Sequence, residues 1–357
     1  MKKHILIPVL LCLFFSSCIE RLGTFKGKAG VLVVSGNINN QPGPYTVNLS
    51  PTKVFGEGFN YQLVEGAIVR ILSDDGEEIS LTDRYRGKYT TPEDFVGEVG
   101  KSYQLMITLR SGESYESDWT EMKPAIPIDT VYYTLEERPI LTDADVVVDQ
   151  STLVFWLEYN NVKDQRDYFR WSYVEDFKVM SPLAIVVGPE TLEDFPGYGI
   201  GDAPYKFCYA RTFGFEFLKV ADDLLTDGQS QKIELTYFPF NRKLDLEYSI
   251  EIYQHTVSEK EYNYWDALQT QYNNVGSIFE TSNYQIQGNL KSIDDPDELV
   301  LGYFGVSAAS TKRVFLVKGE IPYEHYYACG GEIPPSWCFD CRSYSTNATI
   351  EKPSFWP

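Results

Sequence analysis

Histidine is nearly absent from this chain. There are three in 357 residues, and one of them, His4, sits at the extreme N-terminus. His255 and His325 are therefore the imidazoles left in the body of the protein, which leaves little for histidine-dependent general acid–base or nucleophilic chemistry. Positive charge is also scarce. Lys and Arg number 31 against 51 Asp and Glu, a formal net charge of −20, and that balance argues against nucleic acid or anionic lipid head groups as partners. Internal repeats and low-complexity tracts are missing. The N-terminal apolar run, Ile5 to Phe15, falls well short of the about 20 residues that a membrane-crossing helix needs.

What stands in its place is a secretion signal. Met1-Lys2-Lys3-His4 is a short basic head, the apolar run follows, and the small residues Ser16-Ser17 come directly before Cys18. This is the order of a secretory signal, with the small residues that a lipoprotein signal peptidase accepts before a cysteine. Phe15 stands where Leu is more usual. Cleavage would leave Cys18 as an acylated N-terminus, and several acyl chains hold a protein firmly where one holds it marginally. Losing Lys2 and Lys3 takes the charge from −20 to −22. Ile19 rather than Asp follows the anchor, so the expected location is the outer membrane, on its surface or its periplasmic face. Residues 1–17 read as the signal and 18–30, with three glycines, as a lipidated tether.

The remaining chain is long enough for two domains and, at 43% hydrophobic, has material for two cores. Tyrosine is abundant at 26 residues; aromatic side chains suit pleated surfaces as well as ligand surfaces. From Val31 the pattern is strand, turn, strand. Val31 to Ile38, Tyr45 to Ser50, Gly66 to Leu72, Glu78 to Leu81, Gly87 to Thr90, Ser102 to Leu109 and Ser114 to Ser117 read as short strands, with Asp74-Asp75-Gly76 as a hairpin turn. That spacing predicts a β-sandwich over 31–124. Pro124 and Pro127 mark a junction, since proline cannot donate to a sheet ladder. A larger β-rich domain is predicted over 125–320, with aromatic strands at Leu153 to Tyr159 and Tyr168 to Tyr173 and alternating strands at Lys232 to Tyr237 and Leu246 to Tyr253. Leu299 to Val306 and Arg313 to Val317 read as its closing strands. Ser258 and Glu261 form a capping box for a helix through Tyr272, ended by Asn274-Val275-Gly276. Glu216 to Leu225, closed by Gly228, reads as a second, weaker helix. The whole is mainly β, with one or two helices.

Four further cysteines, Cys208, Cys329, Cys338 and Cys341, make an even count in an exported protein, which favours disulfides. Three pairings are open; the preferred one ties Cys208 to a cysteine of the C-terminal segment 321–357. The alternative is a zinc site of His325, Cys329, Cys338 and Cys341. Gly305-Val306-Ser307-Ala308-Ala309 comes close to a nucleophile elbow but lacks the second glycine and a following helix, so a sheet serine is expected. Asp143, Asp145 and Asp149 lack the glycine and final glutamate of a calcium loop and read as a solvated loop. Asp294-Asp295-Pro296-Asp297-Glu298 reads as an acidic turn. No catalytic constellation emerges, and nothing calls for a cofactor. Asp129-Thr130-Val131 reads first as an ordinary linker, and it also resembles the short Asp-Thr-aliphatic signal for O-glycosylation, at Thr130.

The chain resembles a family of Bacteroidota lipoproteins known only as a domain of unknown function. The likeness rests on the lipobox, Leu32-Val33-Val34-Ser35-Gly36-Asn37-Ile38-Asn39 with Gly43-Pro44-Tyr45, and Pro127-Ile128-Asp129-Thr130-Val131-Tyr132. It extends to Tyr262 to Trp265, Gly276-Ser277-Ile278-Phe279, Gly288-Asn289, Leu301-Gly302-Tyr303-Phe304, Cys338-Phe339-Asp340-Cys341 and Lys352-Pro353-Ser354-Phe355-Trp356. The resemblance implies an Ig-like, carboxypeptidase-regulatory-like first sandwich and genes often set near SusC-type TonB-dependent receptors. The expected function is that of a non-enzymatic accessory beside such an outer-membrane β-barrel, in nutrient capture or complex assembly. The alternatives are a stand-alone surface protein binding a glycan or peptide and, further off, a secreted hydrolase.

Overall fold

The computed structural model describes residues 30–52, 64–142, 144–184, 205–214, 219–274, 285–330 and 334–357. In chain order its strands are β1 (Leu32–Ile38), β2 (Thr46–Pro51), β3 (Ile68–Ser73), β4 (Glu78–Ser80), β5 (Thr82–Tyr85), β6 (Lys88–Thr90), β7 (Ser102–Thr108), β8 (Ser114–Ser117) and β9 (Thr120–Glu121). They continue with β10 (Ile128–Leu141), β11 (Val147–Asn160), β12 (Tyr168–Met180), β13 (Phe207–Phe213), β14 (Lys219–Asp222), β15 (Ser230–Pro239) and β16 (Tyr248–Thr256). The helix α1 (Glu259–Asn274) precedes β17 (Leu290–Ser292), β18 (Leu301–Val306) and β19 (Ala308–Leu316). The protein is mainly β, as its patterning predicts.

Period-two burial explains the short strands. In β3, Val69, Ile71 and Ser73 are buried while Ile68, Arg70 and Leu72 face the other way. The β3–β4 hairpin turns at Gly76, whose φ of +91° is a left-handed backbone that glycine adopts without a steric cost.

The first sandwich packs a sheet ordered β18-β1-β2-β6-β5 against a sheet ordered β17-β8-β7-β3-β4, with β9 also on β7. Its core is largely aliphatic, with Val34, Leu49, Ile71, Leu105 and Ile107 fully or almost fully buried among Tyr89 and Tyr103. The chain-order boundaries 31–124 and 125–320 do not describe this unit. Strands β17 and β18, which the sequence reading places in the second domain, are strands of the first. β18 lies parallel to β1 from Val33–Leu301 to Ile38–Val306, β17 pairs with β8, and Val300, Phe304 and Val306 complete the aliphatic core. A junction can be read from local prolines. Which later strand returns across it is decided by non-local pairing, which local patterning does not encode.

The second sandwich faces β10-β11-β15 against β13-β12-β16-β19, with β14 also on β12. Its core is aromatic, built on Phe155, Tyr159, Phe169, Trp171, Phe177 and Tyr248; Tyr159 and Phe169 lie 4.6 Å apart between ring centroids. The disulfide Cys208–Cys341 ties the C-terminal segment to β13, and Cys329–Cys338 closes a loop within that segment. The C-terminal segment adds a bridge between Tyr209 and Thr349 and sets Trp356 against Phe315.

The weaker predicted helix, 216–225, is not formed in its described part. Lys219–Asp222 is strand β14, antiparallel to β12 from Trp171 to Tyr168. An open stretch of β12 edge takes up these residues, and tertiary pairing overrides a short helix signal. The stronger helix is present as α1. Ser258 caps it, its Oγ accepting the Glu261 N–H at 3.2 Å, but the Glu261 carboxylate turns elsewhere. Tyr262 packs on Tyr168 of the second sandwich at 5.2 Å and Tyr264 on Tyr303 of the first at 4.9 Å, so α1 braces both. Among the described residues no helix is long and apolar enough to cross a membrane.

Candidate functional site

Alternation along β12 sends Phe169, Trp171, Tyr173 and Phe177 into the core and leaves Arg170, Ser172, Val174 and Asp176 on the outer face of its sheet. Opposite them on β16 stand His255, Tyr253, Glu251 and Ser249. Further along this face the charges alternate in sign. Arg211 bonds Asp176 at 2.7 Å, and Arg313 bridges Asp176 at 2.8 Å and Glu251 at 2.6 Å. The C-terminal tail covers that end, with Phe355 against the Arg313 guanidinium at 3.7 Å.

At the other end the first sandwich overhangs the sheet. Its β1–β2 connection and Trp265 of α1 wall a cleft of about 490 Å³ floored by Arg170, Ser172, Tyr253 and His255. Clefts of this size between packed units are where small ligands are usually held. The connection contains a cis Gly43–Pro44 bond and is fixed by polar contacts. Asn39 Oδ1 accepts the Gln41 N–H at 2.8 Å and the Tyr45 hydroxyl at 2.7 Å; burial pushes the Tyr45 phenol up to about 12. Asn40 Oδ1 accepts the Ala309 N–H at 2.7 Å, tying the connection to β19 of the second sandwich. The Asn39 Nδ2 has no hydrogen-bond acceptor among the described residues.

Arg170 lies at the base. Its side chain is 12% exposed, and Nε donates to Glu261 Oε1 at 3.3 Å. Its guanidinium sits 5.3 Å from the Trp265 ring centroid, within cation–π range. Its two terminal nitrogens have no hydrogen-bond acceptor among the described residues and are not sealed from the cleft. Glu261 is buried; burial raises its carboxyl above the usual range against the opposing pull of Arg170. Gly305 makes room for it, since a Cβ there would stand 3.0 Å from Glu261 Oε1. None of the described residues lining the cleft is acidic.

His255 is the other ionisable group of the floor. It is 3% exposed. Its Nε2 meets Ser172 Oγ at 3.1 Å and its Nδ1 meets Ser307 Oγ at 3.1 Å. Burial, helped by the nearby Arg170 charge, drives its pKa well below the ordinary imidazole range, so it is neutral. The Ser–His–Ser chain mimics a catalytic arrangement but differs in its third member: the imidazole is oriented by a hydroxyl, and a carboxylate is what stabilises the imidazolium in a triad. Ser307 is fully buried at the single residue between β18 and β19. The near-elbow motif is thus a strand-to-strand crossing between the two sandwiches, with His255 as its hydrogen-bonded hinge pin.

A family described as a domain of unknown function (DUF4249) matches residues 23–313. The chain belongs to this family. A search of curated proteins finds no match. The family match runs through both sandwiches and ends inside β19, so three of the four paired cysteines, Cys329, Cys338 and Cys341, lie beyond it.

The other residues singled out in the sequence lie apart from the cleft. Cys18 and Asp143 fall outside the described residues. The zinc alternative is overturned, because both cysteine pairs are disulfides and offer no thiolate, and His325 Nδ1 is engaged with the Tyr323 hydroxyl at 2.8 Å. Thr130 is exposed on β10. Asp145 and Asp149 are exposed at the end of the β10–β11 hairpin, and among the described residues no group of three or more potential ligands could hold a metal. The acidic turn at 294–298 is structural: Asp294 accepts the Ser114 N–H at 2.7 Å and Glu298 the Tyr115 hydroxyl at 2.9 Å. Arg170 carried no motif of its own. Its one sequence signal is placement on the polar phase of an aromatic strand.

Proposed function

We propose that this chain is a non-enzymatic, lipid-anchored protein of the outer membrane that holds a ligand in the cleft between its two sandwiches and serves a TonB-dependent β-barrel transporter of the SusC type. The observation that carries the binding role is the cleft itself. The rings of Tyr45, Tyr253 and Trp265, the amide of Asn39 and the guanidinium of Arg170 line it, while the two serine–histidine contacts, to Ser172 and Ser307, belong to a neutral, buried imidazole at the hinge. Among the described residues of the cleft, the rings, the amide and the guanidinium are groups suited to holding a ligand. The export signal ending at Cys18 supports the location, and the family resemblance supports the transporter.

The test begins with mild detergent extraction of native membranes. A large β-barrel protein should co-purify with the chain, and mass spectrometry of its N-terminus should find acylated Cys18. Recovery of the lone chain under several growth conditions would reject the transporter role, and an unmodified N-terminus would reject the anchor. A screen of hydrolase substrates should show no turnover.

A further inference from the structure

We infer that the cleft takes an oligosaccharide bearing an acidic group, a carboxylate or a sulfate, gripped by the two terminal nitrogens of Arg170. The inference rests on reading this cleft as the ligand site and adds the class of ligand.

Three features carry it. The first is donor surplus. Arg170 spends only Nε inside the protein, and its planar fork matches an oxyanion in bidentate fashion. Asn39 Nδ2 is likewise without an acceptor among the described residues. The second is the exclusion of acidic side chains from the described lining in a chain with 51 of them; the carboxylate nearest the fork, Glu261, is buried on its Nε side rather than in the cleft. The third is how the fork is held. Glu261 takes Nε from beneath and Trp265 covers the guanidinium plane, so the side chain is positioned before any ligand arrives.

The remaining walls select a saccharide over a peptide. A common way to bind an extended peptide is main-chain pairing at a sheet edge. The floor strand β12 is already paired on both sides, by β16 on one and by β13 and β14 on the other. It therefore offers side chains alone, Arg170 and Ser172, and with the rings of Tyr45, Tyr253 and Trp265 on the other sides of the cleft these suit the hydroxyls and C–H faces of a pyranose.

The experiment is calorimetric titration of the full-length protein in detergent with four probes: tetragalacturonate, its neutral methyl ester, a sulfated galactotetraose, and tetraglutamate. The expected result is binding of one or both acidic saccharides at least about tenfold tighter than the methyl ester, as befits a charge-assisted contact. Which of the two binds tells carboxylate from sulfate. Asn37→Asp, which places a carboxylate on the cleft wall, and Arg170→Lys, which keeps the charge but loses the fork, should each weaken that binding by about tenfold or more. Circular dichroism of each variant should match the parent. Equal affinity for the methyl ester would overturn the acidic group and leave the cleft as a ligand site. Tighter binding of tetraglutamate would overturn the saccharide. Acidic saccharides that bind with affinity unchanged by Asn37→Asp and Arg170→Lys would overturn the cleft as their site, and with it the reading of the cleft above. Failure of both acidic saccharides at millimolar concentration would overturn the inference itself.

Discussion

The two sandwiches solve the same problem by different means. Each must close a pair of sheets around one core. The first does so topologically, with an aliphatic interior completed by β17 and β18 from late in the chain. The second does so covalently, with an aromatic interior, one disulfide, Cys208–Cys341, that holds the C-terminal segment to β13, and a second, Cys329–Cys338, that closes a loop within that segment. The first unit therefore depends on a distant part of its own chain and is indifferent to redox conditions. The second depends on oxidation of its cysteines, a state that the reducing cytoplasm disfavours. Because β18 passes into β19 through Ser307 alone, the two units are held closely together at this crossing, and the cleft forms beside it.

The largest effect expected is at the shared strand. Gly302 has φ of +95°, and a Cβ there would stand 1.8 Å from the Val34 carbonyl oxygen. Gly302→Val should cost more than about 4 kcal/mol, and hydrogen exchange should show β1, β2 and β18 opening first. If β10 to β16 opened first instead, the claim that the first sandwich is closed by β18 would be wrong.

Next come the disulfides. Cys208–Cys341 spans 133 residues and Cys329–Cys338 spans 9. The chain-entropy argument gives roughly 5 kcal/mol for the long loop and roughly 3 for the short one. Paired Cys→Ser variants should follow that order in urea unfolding. Exchange in β3 and β7 should stay at parent rates in both, and a uniform loss over both sandwiches would erase the contrast drawn above.

A smaller effect concerns pH. His255 has a depressed pKa in the folded protein because it is buried, with Arg170 adding to the effect. The unfolded chain therefore binds its proton first as pH falls. The stability contributed by the neutral buried ring is intact above about pH 6.5 and is lost below it, by up to about 1.4 kcal/mol per pH unit. His255→Gln should flatten the stability profile between about pH 6.5 and 5. A profile as steep in the variant as in the parent would place the titration elsewhere.

The smallest is the helix cap. Ser258→Ala removes the acceptor for the Glu261 N–H and should cost about 1 kcal/mol, read as a small fall in the unfolding midpoint. Ligand affinity in the cleft should fall with it only so far as Glu261 shifts beneath Arg170.

Much of the architecture was legible residue by residue. Alternation in Ile68 to Leu72 and Ser102 to Leu109 located β3 and β7, Asp74-Asp75-Gly76 located their neighbouring hairpin, and Ser258 with Glu261 located α1. The site was far less legible. Glu261 read as the second half of a capping box, yet its carboxylate serves Arg170, 91 positions earlier. Ser307 read as a sheet serine and is one, but its hydrogen bond to His255 was invisible without the pairing of β16 with β19. The weaker helix failed for the same reason: the free edge of β12 that captured Lys219–Asp222 exists only once β12 is in place.

By itself the sequence determined the periodicity of burial, the turns, the helix start and the supply of cysteines, because each is written within a few residues by backbone sterics and side-chain polarity. Tertiary structure alone decided that β17 and β18 close the first sandwich, which cysteines meet, and that Arg170, Asn39 and Trp265 share a cleft. Those outcomes depend on which surfaces bury one another across hundreds of residues, and no local pattern specifies that.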